Sequence, residues 1–260
     1  HDPPLNWKGV DGPLEDARPV APAARHGYRL AVLDAEARAN EQSLAALLAA
    51  QGGFGAPEAS VPVNATVGDG TVEETITAAR HAVDAGFDCL KLKVGARSLD
   101  ADLKRVRAVR EAVDATVRLD ANGAWDREKA AEAVDALAPL GIEYVEQPLP
   151  STDLDGLADL RGRGVEIAVD ESLCAVGVGT VLDADAADVA ILKPMALGGP
   201  DAAVHAAAQL IEAAVDPVVT TTIDGAVARA AAVHVAAAVP GKRACGLATG
   251  GLLASDLGAD

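Results

Sequence analysis

Lys91 and Lys93 stand two apart in Lys91-Leu92-Lys93, so on an extended strand their side chains share one face, with Leu90, Leu92 and Val94 on the other. Burial and the neighbouring positive charge each disfavour protonation, which suits one lysine to act as a base near neutral pH. Two solvated lysines on an edge strand would show the same spacing. Three acids end three later apolar runs: Asp120 in Arg118-Leu119-Asp120-Ala121-Asn122, Glu146 in Tyr144-Val145-Glu146-Gln147-Pro148, and Asp170 in Ala168-Val169-Asp170-Glu171-Ser172. Any one of them alone reads equally well as a surface ion-pair partner. Three converging at one rim would repel one another and take up protons, and a hard divalent cation with oxygen ligands removes that penalty. Mg2+ suits such a set because it takes few carboxylates and leaves positions for a substrate carboxylate. Lys193, in Ala190-Ile191-Leu192-Lys193-Pro194, ends a further run. A cation on either side of a metal stabilises an anion, and the anion that needs both a base and a metal is the enediolate left when a proton departs next to a carboxylate.

The elements that must bring these groups together are short β-branched runs alternating with Ala-rich amphipathic segments. The runs are Val61–Val67, Cys89–Val94, Val117–Ala121, Tyr144–Glu146, Ile167–Asp170, Val189–Lys193, Val218–Thr222 and Ala244–Ala248, which predicts eight strands. The intervening helices, such as Val72–Ala85, Asp126–Leu137 and Asp201–Ala214, have the length of crossovers, so the strands pair in parallel. From Lys93 through Asp120, Glu146 and Asp170 to Lys193 the steps are 27, 26, 24 and 23 residues, each one βα unit. Eight such units close a barrel, although a doubly wound open sheet alternates in the same way. No G-x-G-x-x-G follows the first strand, and five consecutive strands end in a charged group, which favours a ring facing one mouth. The fold class expected is therefore α/β, a (β/α)8 TIM-type barrel. Ahead of it, helical spacing predicts one long amphipathic helix from Arg25 to Ala50, closed by Gln51-Gly52-Gly53, and residues 1–24 read as irregular.

K-x-K on strand two, D-x-N on three, E-Q-P on four, D-E-S on five and K-P on six resemble, as an ordered set, the muconate-lactonising branch of the enolase superfamily. The resemblance covers Val61 to Gly251, and Tyr28 to Leu48 is similar to the last helix of that family's capping domain. It implies a domain division of 1–55, an irregular segment with a remnant of an N-terminal α+β capping domain, and 56–260, the catalytic barrel. It also implies that Lys93 is the general base, that Lys91 tunes it, and that Lys193 is the opposing lysine. Asp120, Glu146 and Asp170 become ligands of Mg2+, with Mn2+ as an alternative, and Asn122 and Glu171 support them.

Family members with a His-Asp pair need a histidine ending strand seven, where this chain has Thr220-Thr221-Thr222. Dipeptide epimerases carry D-x-D on strand eight, where this chain has Gly246-Leu247-Ala248-Thr249-Gly250. The group left is that of the o-succinylbenzoate synthases, lyases that dehydrate a cyclohexadiene carboxylate on the route to menaquinone. N-acylamino acid racemase is the near alternative, with dipeptide epimerase, muconate cycloisomerase-like chemistry and a non-enzymatic barrel behind it. Thr221, Thr222 and the backbone near Gly250 are the expected partners of a second substrate carboxylate.

The 260 residues are half apolar but only 2% aromatic, so the core must be Ala, Val, Leu and Ile, as layered helix-on-strand packing requires. A formal charge of −17 repels phosphate backbones and anionic lipid, so neither nucleic acid nor membrane is an expected partner. The expected partner is a small-molecule carboxylate, with a homo-oligomer left open. Such an acidic surface resembles that of proteins working at high salt, where screening removes self-repulsion. Cys89, Cys174 and Cys245 show no metal-ligand spacing and read as small buried hydrophobes in a reducing cytoplasm. All five histidines read as structural or solvated, and no apolar run of about 18 residues suggests a membrane span.

Overall fold

A computed structural model describes residues 21–257. Seven strands, β1 (Ala65–Val67), β2 (Cys89–Lys93), β3 (Thr116–Asp120), β4 (Tyr144–Glu146), β5 (Glu166–Val169), β6 (Val189–Leu192) and β7 (Asp216–Val219), pair in chain order and in parallel in one curled sheet. Helices on the outside connect them: α3 (Val72–Asp84), α4 (Leu99–Ala112), α5 (Arg127–Leu137), α6 (Leu154–Leu160), α7 (Glu171–Val176), α8 (Val178–Asp183), α9 (Pro200–Glu212) and α10 (Ala226–Ala238). Local chemistry starts several of these helices. Thr71 and Glu74 form a reciprocal capping box for α3, and Ser98, Asp126 and Asp153 each accept an amide at the start of α4, α5 and α6.

Strand alternation divides the core in two. Leu90, Leu92, Val117, Leu119, Val145, Ile167, Val169, Ala190, Leu192 and Val219 meet the helices in the large apolar cluster. Tyr144, Ala168, Val189, Ile191 and Val218 form a smaller cluster on the alternate face. That same face carries Lys91, Lys93, Arg118, Asp120 and Glu146, and Arg118 lies 4.8 Å from the Tyr144 ring centroid. The register sets Lys93 beside Asp120 and Asp120 beside Glu146, so these groups share one level at the carboxyl ends of adjacent strands.

Three expectations need correction. The single helix over 25–50 is two, α1 (Pro22–Ala39) and α2 (Leu44–Gln51). Glu41 adopts φ 51°, which no helix continues through, and Ser43 then restarts the chain by accepting the Ala46 amide. The nearly all-apolar α2 packs against α9 and α10. Secondly, Ala244–Ala248 is not a strand but touches its neighbours through single parallel bridges, Val63 with Cys245 and Thr220 with Gly246. Gly246 comes so close to strand β7 that a Cβ there would lie 2.2 Å from Thr220 Oγ1, which donates to the Gly246 carbonyl. One bridge on each side is all this short crossing allows. Arg243 anchors the segment at the amino ends of the strands, reaching Glu143, Glu166 and Asp216 at 3.1, 2.8 and 2.9 Å. Thirdly, Cys174 is exposed, unlike Cys89 and Cys245, because it lies on the outer side of the short α7. Of residues 1–24, expected to be irregular, 1–20 lie outside the described part, whereas 22–24 already belong to α1.

Leu48 has no exposed surface and sits where α2 meets the large core. Leu48→Ala is expected to lower unfolding free energy by about 2–5 kcal/mol. Urea denaturation checks this, and a change under ~1 kcal/mol would mean that α2 does not share the core.

Candidate active site

Parallel register delivers the charged groups to one end of the sheet, and nearly all are enclosed there. Asp120, Glu146 and Asp170 are 1–2% exposed. Lys91 Nζ lies 3.1 Å from both Glu146 oxygens and 3.1 Å from Asp120 Oδ2. Lys93 Nζ donates to Asp120 Oδ2 at 2.6 Å and to Asn122 Oδ1 at 2.8 Å. Asn122 passes the network on, its Nδ2 donating to Glu171 Oε1 at 3.0 Å. Lys193 pairs with Asp170. Eight residues named from the sequence, Lys91, Lys93, Asp120, Asn122, Glu146, Asp170, Glu171 and Lys193, therefore lie in two adjoining groups of contacts at the strand ends.

The electrostatics follow from enclosure. Burial works against the charge on Asp120, but Lys91 and Lys93 outweigh it and hold this carboxyl below its ordinary range. Glu146 shares Lys91 with Asp120 and feels two further carboxylates. Burial pushes it up to about 8, Lys91 offsetting only part while Asp120 and Asp170 add to it. Burial also raises Asp170, against the pull of Lys193. The expected depression of the lysine pair does not hold at Lys91. Burial does lower it, yet Glu146 and Asp120 overcome that and hold the ammonium charged. Lys193 is raised for the same reason by Asp170.

Four carboxylates, those of Asp120, Glu146, Asp170 and Glu171, thus face three ammonium groups, and Glu171 Oε2 is buried with no hydrogen-bond partner. An excess of hard anionic oxygens with one orphaned oxygen is a donor set that fits a divalent cation such as Mg2+. In the geometry described, the oxygens are turned to the lysines, and among the described residues no three acidic, histidine or cysteine side chains stand around one point. Ligation requires the Nζ groups to give way.

The remaining candidates stand apart from this cluster. Thr221 is buried, its Oγ1 2.8 Å from Thr249 Oγ1. Thr222 donates through its amide and hydroxyl to Asp224. Gly250 begins a 3-10 turn, Gly250–Leu252, beside the groove between α10 and the 244–248 segment. Two supports were not legible in the sequence. Buried Arg105 donates to the Lys93 carbonyl at 3.1 Å and to Asp102 at 2.8 Å, while Asp102 accepts the Gly95 amide at 2.8 Å. Gln147, between Glu146 and Pro148, is fully buried at the heart of the strand ends. Its place in the E-Q-P motif marks the family but not this role.

Because the folded-state carboxyl of Glu146 titrates near 8 rather than at its ordinary 4.5, the folded chain binds more protons than the unfolded chain between those values. The contribution of Glu146 to stability without metal then falls as pH rises through that window, while buried His26, held below its ordinary 6.5, works the other way in its lower part. Glu146→Gln is expected to flatten this fall, seen as a smaller drop in melting temperature between about pH 5 and about pH 8. An equal drop in the two proteins would assign the titration elsewhere.

Comparison with known proteins agrees with this geometry. Residues 74–254 match the family model "Enolase C-terminal domain-like". The o-succinylbenzoate synthase of Thermobifida fusca is 42% identical over 217 residues, 80% of this chain and 66% of that protein, so the chain spans just under two thirds of this relative. Among solved structures, the dipeptide epimerase of Enterococcus faecalis V583 superposes with a TM-score of 0.85 at 30% identity, covering 94% of this chain and 70% of that one. The dipeptide epimerase of Methylococcus capsulatus, complexed with Mg and the dipeptide L-Arg-D-Lys, gives 0.83 at 31% identity over 94% and 68%. The parallel sheet, the matched span and these relatives together place the chain in the enolase C-terminal domain-like family.

Proposed function

We propose that this chain is the catalytic part of a magnesium-dependent lyase that dehydrates 2-succinyl-6-hydroxy-2,4-cyclohexadiene-1-carboxylate to o-succinylbenzoate, a step of menaquinone biosynthesis. The observation that carries the chemistry is the enclosed set of three lysines and four carboxylates at the strand ends. The choice of substrate rests on the 42% identity to the Thermobifida fusca synthase. In this reading residues 56–260 form a (β/α)8 barrel, completed by the bridged segment 244–248, and residues 1–55 end in the closing part of a capping domain. This biosynthetic step is placed in the cytoplasm; no helix among the described residues is long and apolar enough to cross a membrane.

Asp120, Glu146 and Asp170 would hold Mg2+, or Mn2+ in its place. When bound, the ion supplies Lewis-acid stabilisation of charge building on the substrate carboxylate. Lys93, the most exposed of the three lysines at 37%, is the group that can meet a substrate from the mouth. Its Nζ takes the proton from the carbon next to the carboxylate. The same proton then leaves with the hydroxyl as water, so a syn elimination needs one base on one face. Lys91, held charged by Glu146 and Asp120, raises the positive potential beside that base. Lys193, immediately after β6, stabilises the developing anion from the other side. Asn122 and Glu171 keep Lys93 oriented, and Thr221, Thr222 and the backbone at Gly250 would receive the succinyl carboxylate. A small carboxylate is then the partner, with homo-oligomerisation a further possibility.

The solved dipeptide epimerases favour one second reading, racemisation or epimerisation of an acylated amino acid, because two lysines can remove and return a proton. Loss of Lys93 in Lys93→Ala is expected to lower Mg2+-dependent dehydration by on the order of 100- to 10,000-fold. Lys93-dependent α-deuterium exchange in N-succinyl amino acids at a comparable rate would favour the racemase instead, and inactivity toward both would remove the synthase reading. The −17 charge also suits high salt, so the melting temperature is expected to rise between ~0.1 M and ~1 M KCl as the screening length falls from about 10 to about 3 Å. A flat or falling curve would speak against adaptation to salt.

A further inference from the structure

Helix α7 begins at the carboxylate of Asp170, and its start is unusual. Aspartate at this N-cap position ordinarily accepts the amides of its own first turn. Here Asp170 makes no such bond, because its carboxylate is turned inward to Lys193. The first-turn amide of Ser172, together with the amide of Asp170 itself, is taken instead by a side chain from the neighbouring strand end. Gln147 Oε1 accepts from the Asp170 amide at 3.1 Å and from the Ser172 amide at 3.2 Å. Its Nε2 donates to the Leu149 carbonyl and to Ser172 Oγ, both at 2.9 Å. The main chain of Gln147 is tied as firmly, donating to Ala168 O and accepting from Gly123 N, each at 2.7 Å. Its φ of 41° lies in the left-handed region, a conformation that costs a non-glycine residue and persists only where surroundings demand it.

We propose that Gln147 is a positioning residue for metal binding: by capping α7 from outside, it leaves the Asp170 carboxylate free to join Glu146 and Asp120 as a ligand. The proposal rests on the reading of those three acids as Mg2+ ligands. The cap needs an acceptor at this reach, taking both amides. Leucine has neither donor nor acceptor. Glutamate keeps the acceptor for the two amides but cannot donate to Leu149 O. Asparagine is one methylene too short to reach both amides. Without the external cap, the acceptor that an N-cap aspartate ordinarily offers to the Ser172 amide is its own carboxylate, and a carboxylate engaged there is lost to the site.

The test is Mg2+ titration calorimetry on the wild-type chain, Gln147→Leu and Gln147→Glu, with circular dichroism and hydrogen exchange of the Ser172 amide alongside. Mg2+ binding by the wild type is read first, and its absence would overturn the ligand assignment and this proposal with it. Given binding, Gln147→Leu is expected to weaken Mg2+ affinity ~10- to 100-fold, as loss of outer support around metal ligands does. Gln147→Glu, which keeps the cap, is expected to stay within a few-fold of wild type. Should the leucine variant fail to fold, Gln147→Asn is compared in its place, with a weakening of about tenfold or more expected. A folded leucine or asparagine variant that loses protection at Ser172 yet binds Mg2+ like the wild type would overturn the proposal. So would a glutamate variant that loses as much affinity as the leucine one.

Discussion

Everything at the working end of this protein depends on an excess of acidic groups over lysines, confined by parallel register. Strands β2, β3 and β4 end level with one another, so Lys93, Asp120 and Glu146 are carried to one depth. Asp170 and Lys193 follow from the ends of β5 and β6. Buried carboxyl groups in that number must be neutralised, by taking up a proton as Glu146 does or by cations among them. The lysines supply three charges, and Glu171 Oε2 is left over. The site is held in tension between ammonium groups present and a divalent cation for which the oxygens are suited.

That tension needs a rigid frame. The outer faces of the strands supply it, with Leu90, Leu92, Val145, Ile167 and Leu192 each without exposed surface against the helices. Polar supports then fix the strand ends. Arg105 and Asp102 hold the Lys93 carbonyl and the Gly95 amide from outside the sheet. Gln147 joins the ends of β3, β4 and β5. At the far end of the strands Arg118 and Arg243 neutralise Glu143, Glu166 and Asp216, and tie in the segment that meets β1 and β7 only by single bridges.

Much of this was legible beforehand. Period-two patterning marked Lys91 and Lys93 as sharing a face, and a recurring step near 25 residues marked the βα unit. The ordered motifs then pointed to the right family. Errors fell where local pattern has no grip. A helix broken at Glu41 keeps helical spacing on both sides of the break, so periodicity runs through it. A segment crossing the sheet at one bridge per side has the composition of a strand without its ladder.

The sequence by itself determined the family, the parallel α/β plan and the identity of the charged groups that gather at the strand ends, because each of these is written in spacing along one chain. Only the tertiary structure decided which acid is capped by whom and which lysine is held charged. Lys91 was expected to be depressed and is raised, since Glu146 and Asp120, 55 and 29 residues away along the chain, lie 3.1 Å from its ammonium. Gln147 and Arg105 gain their roles in the same way. A hydrogen bond or a desolvated charge depends on what the fold brings within about 3 Å, and one strand's pattern does not hold that information.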